Sequence, residues 1–122
     1  MAVLWGFPIL TSADLPRLVA FYVAAFDAEQ TYAFPAEDGS DAYVSLAVGG
    51  ASVGIGSSDT PASGVERTAL WFYVDDVDQT YARALAAGAT SVSPPTDMPW
   101  GERVAQVRDP DGTVVNLGAE PA

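Results

Sequence analysis

The chain has 122 residues, 49% of them hydrophobic, and its 16 acidic residues against 5 basic ones give a formal charge of -11. That length suits one domain, or two small modules sharing a core, and the apolar share is enough to fill it. So acidic a chain is repelled by phosphate backbones and anionic lipid, which argues against nucleic acid and membrane surfaces as partners and favours cations.

Residues 2–11 (AVLWGFPILT) form an apolar, aromatic-rich run that predicts a buried strand. Pro8 marks a bend or an edge in it, because proline cannot donate to a ladder. The same opening has no basic leader, and Pro8 and Asp14 interrupt its short apolar run, so it does not read as a signal peptide. No stretch approaches the roughly 20 apolar residues of a membrane span. A cytoplasmic location is the expectation.

Ser12 or Asp14 is placed to cap a helix through about Phe26, with Pro16 tolerated in its first turn. Leu15, Leu18, Val19, Tyr22 and Phe26 recur at helical spacing as its core face. Strands follow near 29–34, 42–48 and 51–56, the last two joined by a Gly49-Gly50 hairpin. The polar run 57–67 (SSDTPASGVER) reads as a linker. Next come a strand at 68–74 and a helix from an Asp76 cap, with Gln79 at capping-box spacing, to a Gly88 stop after Ala87. A strand near 90–93, the loop SPPTDMP, and strands 101–108 and 113–118 around Asp109-Pro110-Asp111-Gly112 complete the chain. The expectation is an α+β fold of two βαβββ modules, 1–56 and 68–122, joined by linker 57–67 in a single domain whose sheets enclose a concave cavity.

A shift of 62 residues lays the second half on the first. Asp14-Leu15 falls on Asp76-Val77, Gly50 on Gly112, Phe7 on Ala69 and Gly54 on Asn116. The second half, from TALWFYVDDVDQTYARALAAG to PWGERVAQVRDPDGTVVNLGAE, resembles the vicinal oxygen chelate superfamily of glyoxalases, extradiol dioxygenases, fosfomycin-resistance enzymes and bleomycin-resistance proteins. FPILTSADLPRLVAFY resembles that family's opening strand and helix, so the likeness covers nearly the whole chain. Its most specific piece is PWG at 99–101 followed by DPDG.

The resemblance implies metal ligands on the first and last strands of each module, where this chain has Phe7, Gly54, Ala69 and Asn116. Only asparagine among these has a ligand atom, and a neutral carbonyl is a poor one for a transition metal. The chain also has no cysteine and no histidine, which removes thiolate ligands, the commonest metal ligand and the commonest general base. A hard cation on carboxylates alone stays open. No cofactor is expected, and metal-dependent glyoxalase, dioxygenase or fosfomycin-modifying chemistry is argued against.

The chain is most similar to the bleomycin-resistance binding branch, whose members are acidic dimers that hold drug in clefts at the dimer interface. By that likeness Trp71 and Tyr73 stand on the branch's W-x-W strand and Trp100 in its PWG loop, Tyr32 and Tyr43 fall where aromatics line the drug cleft, and Pro8 lies where an N-terminal arm bends across to the other subunit. Departures are Gly49-Gly50, which lacks the branch's acidic turn, and a tighter DPDG turn.

Strand parity gives a partly independent view. Leu70, Phe72 and Val74 suit the helix-covered face, so Trp71 and Tyr73 point into the cavity, as Trp5, Phe7 and Ile9 do by the same alternation. The competing reading of these aromatics is a dry core or a dimer interface. Candidate ligand-binding residues are therefore Tyr32, Tyr43, Trp71, Tyr73, Trp100, Phe7 and Asn116. Catalytic signals are thin: Asp76 is a helix cap, at most one of Arg103 and Gln106 faces the cavity, and Glu102 beside Trp100 is a weak candidate base. The expected function is sequestration, without modification, of a bleomycin-type glycopeptide or a polycyclic aromatic or enediyne-type drug by a homodimer. The rivals are a metal-independent isomerase or hydrolase on the same scaffold, and an interaction module that holds a protein segment.

Overall fold

The computed structural model describes residues 7–59 and 68–120. These form β1 (Ile9–Ser12), α1 (Leu15–Phe26), β2 (Glu29–Pro35), β3 (Asp41–Val48) and β4 (Ala51–Ser57), then β5 (Ala69–Tyr73), α2 (Val77–Ala87), β6 (Thr90–Asp97), β7 (Arg103–Arg108) and β8 (Val114–Ala119). Each half is thus βαβββ, and each builds a four-stranded sheet, in the orders β1-β4-β3-β2 and β5-β8-β7-β6. The α+β expectation is borne out. Among the described residues no strand pairing joins the two sheets.

Both helices begin the same way. The Asp14 carboxylate accepts from the Arg17 amide at 3.2 Å, and the Asp76 carboxylate accepts from the Gln79 amide at 3.1 Å. Each satisfies an amide that the first helical turn leaves without a partner. Ser12 serves the cap indirectly, its hydroxyl accepting from the Asp14 amide at 3.0 Å. Both helices end in a left-handed residue, Asp27 at φ 56° and Gly88 at φ 118°. Glycine takes that conformation without strain, whereas aspartate is tolerated there at some cost.

The repeat is visible in the hydrogen-bond register. Parallel β1 sets Ile9 against Gly54, and parallel β5 sets Trp71 against Asn116, each residue 62 positions beyond its counterpart. The hairpins break that count by one. Val48 pairs with Ala51 around Gly49-Gly50, while between Arg108 and Val114 the Asp109 amide donates to the Thr113 carbonyl around a longer turn.

Each helix packs on its own sheet, and the two helices also touch each other. The core runs through Leu18, Tyr22, Val44, Leu46 and Ile55 in the first half and Leu70, Val107, Val115 and Leu117 in the second. Phe26 meets Phe72 edge-on across the join, with centroids 5.4 Å apart.

Several expected boundaries are corrected. β6 runs through Pro94 and Pro95 to Asp97 rather than ending near 93. As an edge strand whose register shifts between Ser93 and Thr96, it can hold two prolines that have no paired residue on β7. β2 reaches Pro35 as the other sheet's edge strand. β7 starts at Arg103, because Gly101 and Glu102 belong to the turn before it. On α1, Phe21 and Ala25 are buried alongside Leu15, Leu18 and Tyr22, while Val19 and Phe26 are only partly covered. The start of the first predicted strand, with Trp5, lies outside the described residues, as does most of the linker.

Candidate functional site

The pairings divide each sheet into two faces, since directly paired residues point the same way. In the second sheet Leu70, Phe72, Ala105, Val107, Val115 and Leu117 share the helix-covered face. Trp71, Tyr73, Gln106 and Asn116 share the other, on which Asn116 is buried but the two aromatic rings are open. Trp71 keeps 44% of its surface exposed and Tyr73 54%. The parity argument therefore placed both residues correctly. It also left Arg103 and Gln106 unresolved, and Gln106 is the one on the open face. Arg103 turns to the helix side, where its guanidinium holds Asp78 at 2.8 Å and Asp97 at 3.0 Å.

In the first sheet the open face carries Ile9, Tyr32, Phe34, Tyr43 and Ser45. Tyr32 and Tyr43 lie 6.4 Å apart between ring centroids. Phe7, ahead of β1, is also exposed. Each sheet thus presents its own aromatic group, and no ring contact among the described residues joins the two. The seven predicted ligand-binding residues fall into these two groups within one chain: Phe7, Tyr32 and Tyr43 on one, Trp71, Tyr73, Trp100 and Asn116 on the other.

The four positions where metal ligands would stand are now defined. A Cβ on Gly54 would lie 2.9 Å from two ring carbons of Tyr43, so the tyrosine fills the space of a ligand side chain there. Asn116 is buried and committed: its amide donates to the Leu70 carbonyl at 3.1 Å, and its own carbonyl accepts from Gln106 at 2.7 Å. Ala69 and Phe7 have no ligand atom. This donor set does not fit a divalent metal, and among the described residues no cluster of three or more carboxylates, histidines or cysteines does so elsewhere.

Trp100 sits in the β6–β7 turn, which closes when the Met98 amide donates to the Glu102 carbonyl at 2.7 Å and Gly101 adopts φ 98°. The indole is 60% exposed, and its N–H donates to the Glu102 carboxylate at 2.5 Å. Tyr73 lies near the same carboxylate, and that neighbour, with burial and the charge of Glu120, raises the Tyr73 pKa above the ordinary phenol value, so the hydroxyl stays protonated at neutral pH. Trp71 lies 5.9 Å from Tyr73 and rests on Gly118, where a Cβ would come within 3.1 Å of its ring. Trp100 therefore bonds the carboxylate of a residue that is only 9% exposed, and Tyr73 and Trp71 lie along the same open face. The sequence singled out Glu102 for its place beside Trp100, but its burial depends on where β7 begins, which sequence alone had set two residues early.

A cavity of about 390 Å³ opens at the free edge of β5. Trp71 and Tyr73 line it with Asp27, Arg83 and the Gly49-Gly50 turn, whereas Phe7, Tyr32, Tyr43, Trp100 and Asn116 do not.

The sequence profile of the Glyoxalase/Bleomycin resistance protein/Dioxygenase superfamily matches residues 6–117. An uncharacterized protein of Mycobacterium bovis is 36% identical over 121 residues, covering 91% of this chain and 80% of that one. Among solved structures, TioX from Micromonospora sp. ML1 is 29% identical with a TM-score of 0.74, covering 93% of this chain and 96% of its own. The fosfomycin resistance protein FosX from Listeria monocytogenes, complexed with Mn(II) and sulfate, has a TM-score of 0.78 at 20% identity. It covers 98% of this chain and 93% of its own. At that identity the likeness shows the fold.

Proposed function

The chain belongs to the glyoxalase/bleomycin resistance protein/dioxygenase superfamily, and on that premise we propose that it binds a toxic natural product and sequesters it unmodified. The ligand is cationic, aromatic or both, of the bleomycin glycopeptide or polycyclic aromatic and enediyne kinds. The protein acts as a homodimer in the cytoplasm.

The observation that carries this reading is the pair of uncovered aromatic faces. One chain leaves Tyr32 and Phe34 on one sheet and Trp71, Tyr73 and Trp100 on the other open to solvent. Apolar surface of that kind marks a binding face. Setting the first sheet of one copy against the second sheet of another brings the two aromatic groups together as walls of one cleft. Stacking and cation–π contacts contribute on the order of 0.5–2 kcal/mol each. Several of these with apolar burial reach the roughly 8 kcal/mol of a submicromolar Kd. Sequestration requires no catalytic group, and no step here runs through a metal.

The test is titration of the purified protein with bleomycin, mitomycin C and an enediyne, read by tryptophan fluorescence, with the recovered drug weighed by mass spectrometry. Submicromolar binding with unchanged mass and unchanged chromatographic retention supports sequestration. Absence of such binding to every member of the panel overturns it. One observation favours a second reading: the buried Glu102 carboxylate is placed to move a proton in a metal-independent isomerase or hydrolase. A changed drug mass or chromatographic retention, abolished in Glu102→Gln, would establish that reading.

A further inference from the structure

We propose that Glu102, bonded by Trp100 beside the open face of Trp71 and Tyr73, anchors a cationic group of the bound ligand, an ammonium or guanidinium carried on an aromatic framework. This rests on the binding reading above and narrows its ligand class. Glu102 as a residue is nine-tenths buried, yet the Trp100 N–H that bonds its carboxylate is neutral, as is the Tyr73 hydroxyl nearby. A neutral donor fixes its orientation without cancelling its charge, and a buried charge without a counter-ion is costly.

Among the described residues none supplies that counter-ion, and the fifth arginine, Arg67, lies outside them. The sequence has no lysine or histidine. Arg17 pairs with Asp111, Arg83 with Asp27, and Arg103, the next residue in the chain, turns to Asp78 and Asp97 on the opposite face. Arg108 reaches the Gly112 carbonyl at the far end of β7. Glu120 adds a second negative charge near Tyr73. Trp100 on the carboxylate, with the partly exposed Tyr73 and Trp71 along the same face, presents the π surface that attracts a cation. A ligand with a positive group therefore gains a charge-assisted contact with Glu102 that a neutral aromatic of the same shape does not make.

Calorimetric titration with two probes of one ring system tests this: proflavine, a planar cation, and acridine, uncharged at neutral pH. Wild-type protein is expected to bind proflavine about tenfold more tightly than acridine, and added salt narrows that gap. Glu102→Gln keeps the acceptor for Trp100 while removing the charge; it is expected to weaken proflavine about tenfold and leave acridine within about twofold. Equal loss of both probes makes Glu102 a structural residue and overturns the proposal, as does an unchanged proflavine affinity. If the variant does not fold, the wild-type preference and its salt dependence decide. Equal wild-type affinities sink the cation anchor but leave aromatic binding standing, whereas failure to bind either probe sinks both.

Discussion

The two modules share a plan, yet the two places where a helix of one approaches a turn of the other are built in opposite ways. Where α1 meets the β7–β8 turn, Tyr22 is fully buried and donates to Asp109 at 2.8 Å, while Arg17 holds Asp111 at 3.1 Å. Asp109 also accepts from the amides of Asp111 and Thr113, so one carboxylate shapes the turn and locks it to the helix. Shifted by 62 residues, Tyr22 falls on Ala84, and the turn opposite α2 is Gly49-Gly50. That corner holds the cavity beside Trp71 and Tyr73. Duplication preserved the sheets and caps, whereas side-chain size decided that one corner is a polar lock and the other is open.

The comparison breaks most visibly at the lock. Asp109→Ala leaves a buried hydroxyl and two turn amides without an acceptor, and is expected to cost about 3 kcal/mol in urea unfolding. Tyr22→Phe removes one donor and is expected to cost about 1–2 kcal/mol by the same measurement. The lock also titrates. Burial holds the Asp109 pKa above the usual carboxylate value despite its hydrogen bonds. A carboxyl with a raised folded pKa contributes stability that is full below the unfolded value and is lost as pH rises through the folded one. Wild-type unfolding free energy should therefore fall across that interval relative to Asp109→Asn, which does not titrate. A flat difference between the two would show that Asp109 is not the group responsible.

The open corner responds more weakly and in two directions. Gly49 has φ 57° with no atom near its missing Cβ, so Gly49→Ala meets only backbone strain and is expected to cost about 1 kcal/mol. Gly50 adopts no such angle and faces equally open space, so Gly50→Ala should stabilise by about 0.5 kcal/mol through the unfolded chain. Thermal melts of the two variants should move in opposite directions.

Much of this was legible in the sequence because it depends on local rules. Asp14 and Asp76 cap helices wherever those helices pack, and alternation along β5 put Trp71 and Tyr73 opposite Leu70 and Phe72. Edges were harder to read. Whether Pro94 and Pro95 end a strand or ride along one depends on whether a neighbour needs their N–H, and that is a property of the sheet. The one-residue mismatch between the hairpins was hidden for a similar reason. Gly50 and Gly112 match by count, but the left-handed residues are Gly49 and Gly112.

The sequence by itself determined the duplicated βαβββ plan, the absence of histidine and cysteine chemistry, and which aromatics share a strand face. These follow from composition and from the two-residue period of a strand. Only the tertiary structure decided what occupies the positions of Gly54 and Asn116, because a ring arriving from β3 and an amide arriving from β7 fill them. It alone buried Glu102 beneath Trp100, and it divided the aromatics between two separate faces. Those outcomes depend on which strands become neighbours, and long-range pairing leaves no local trace in the chain.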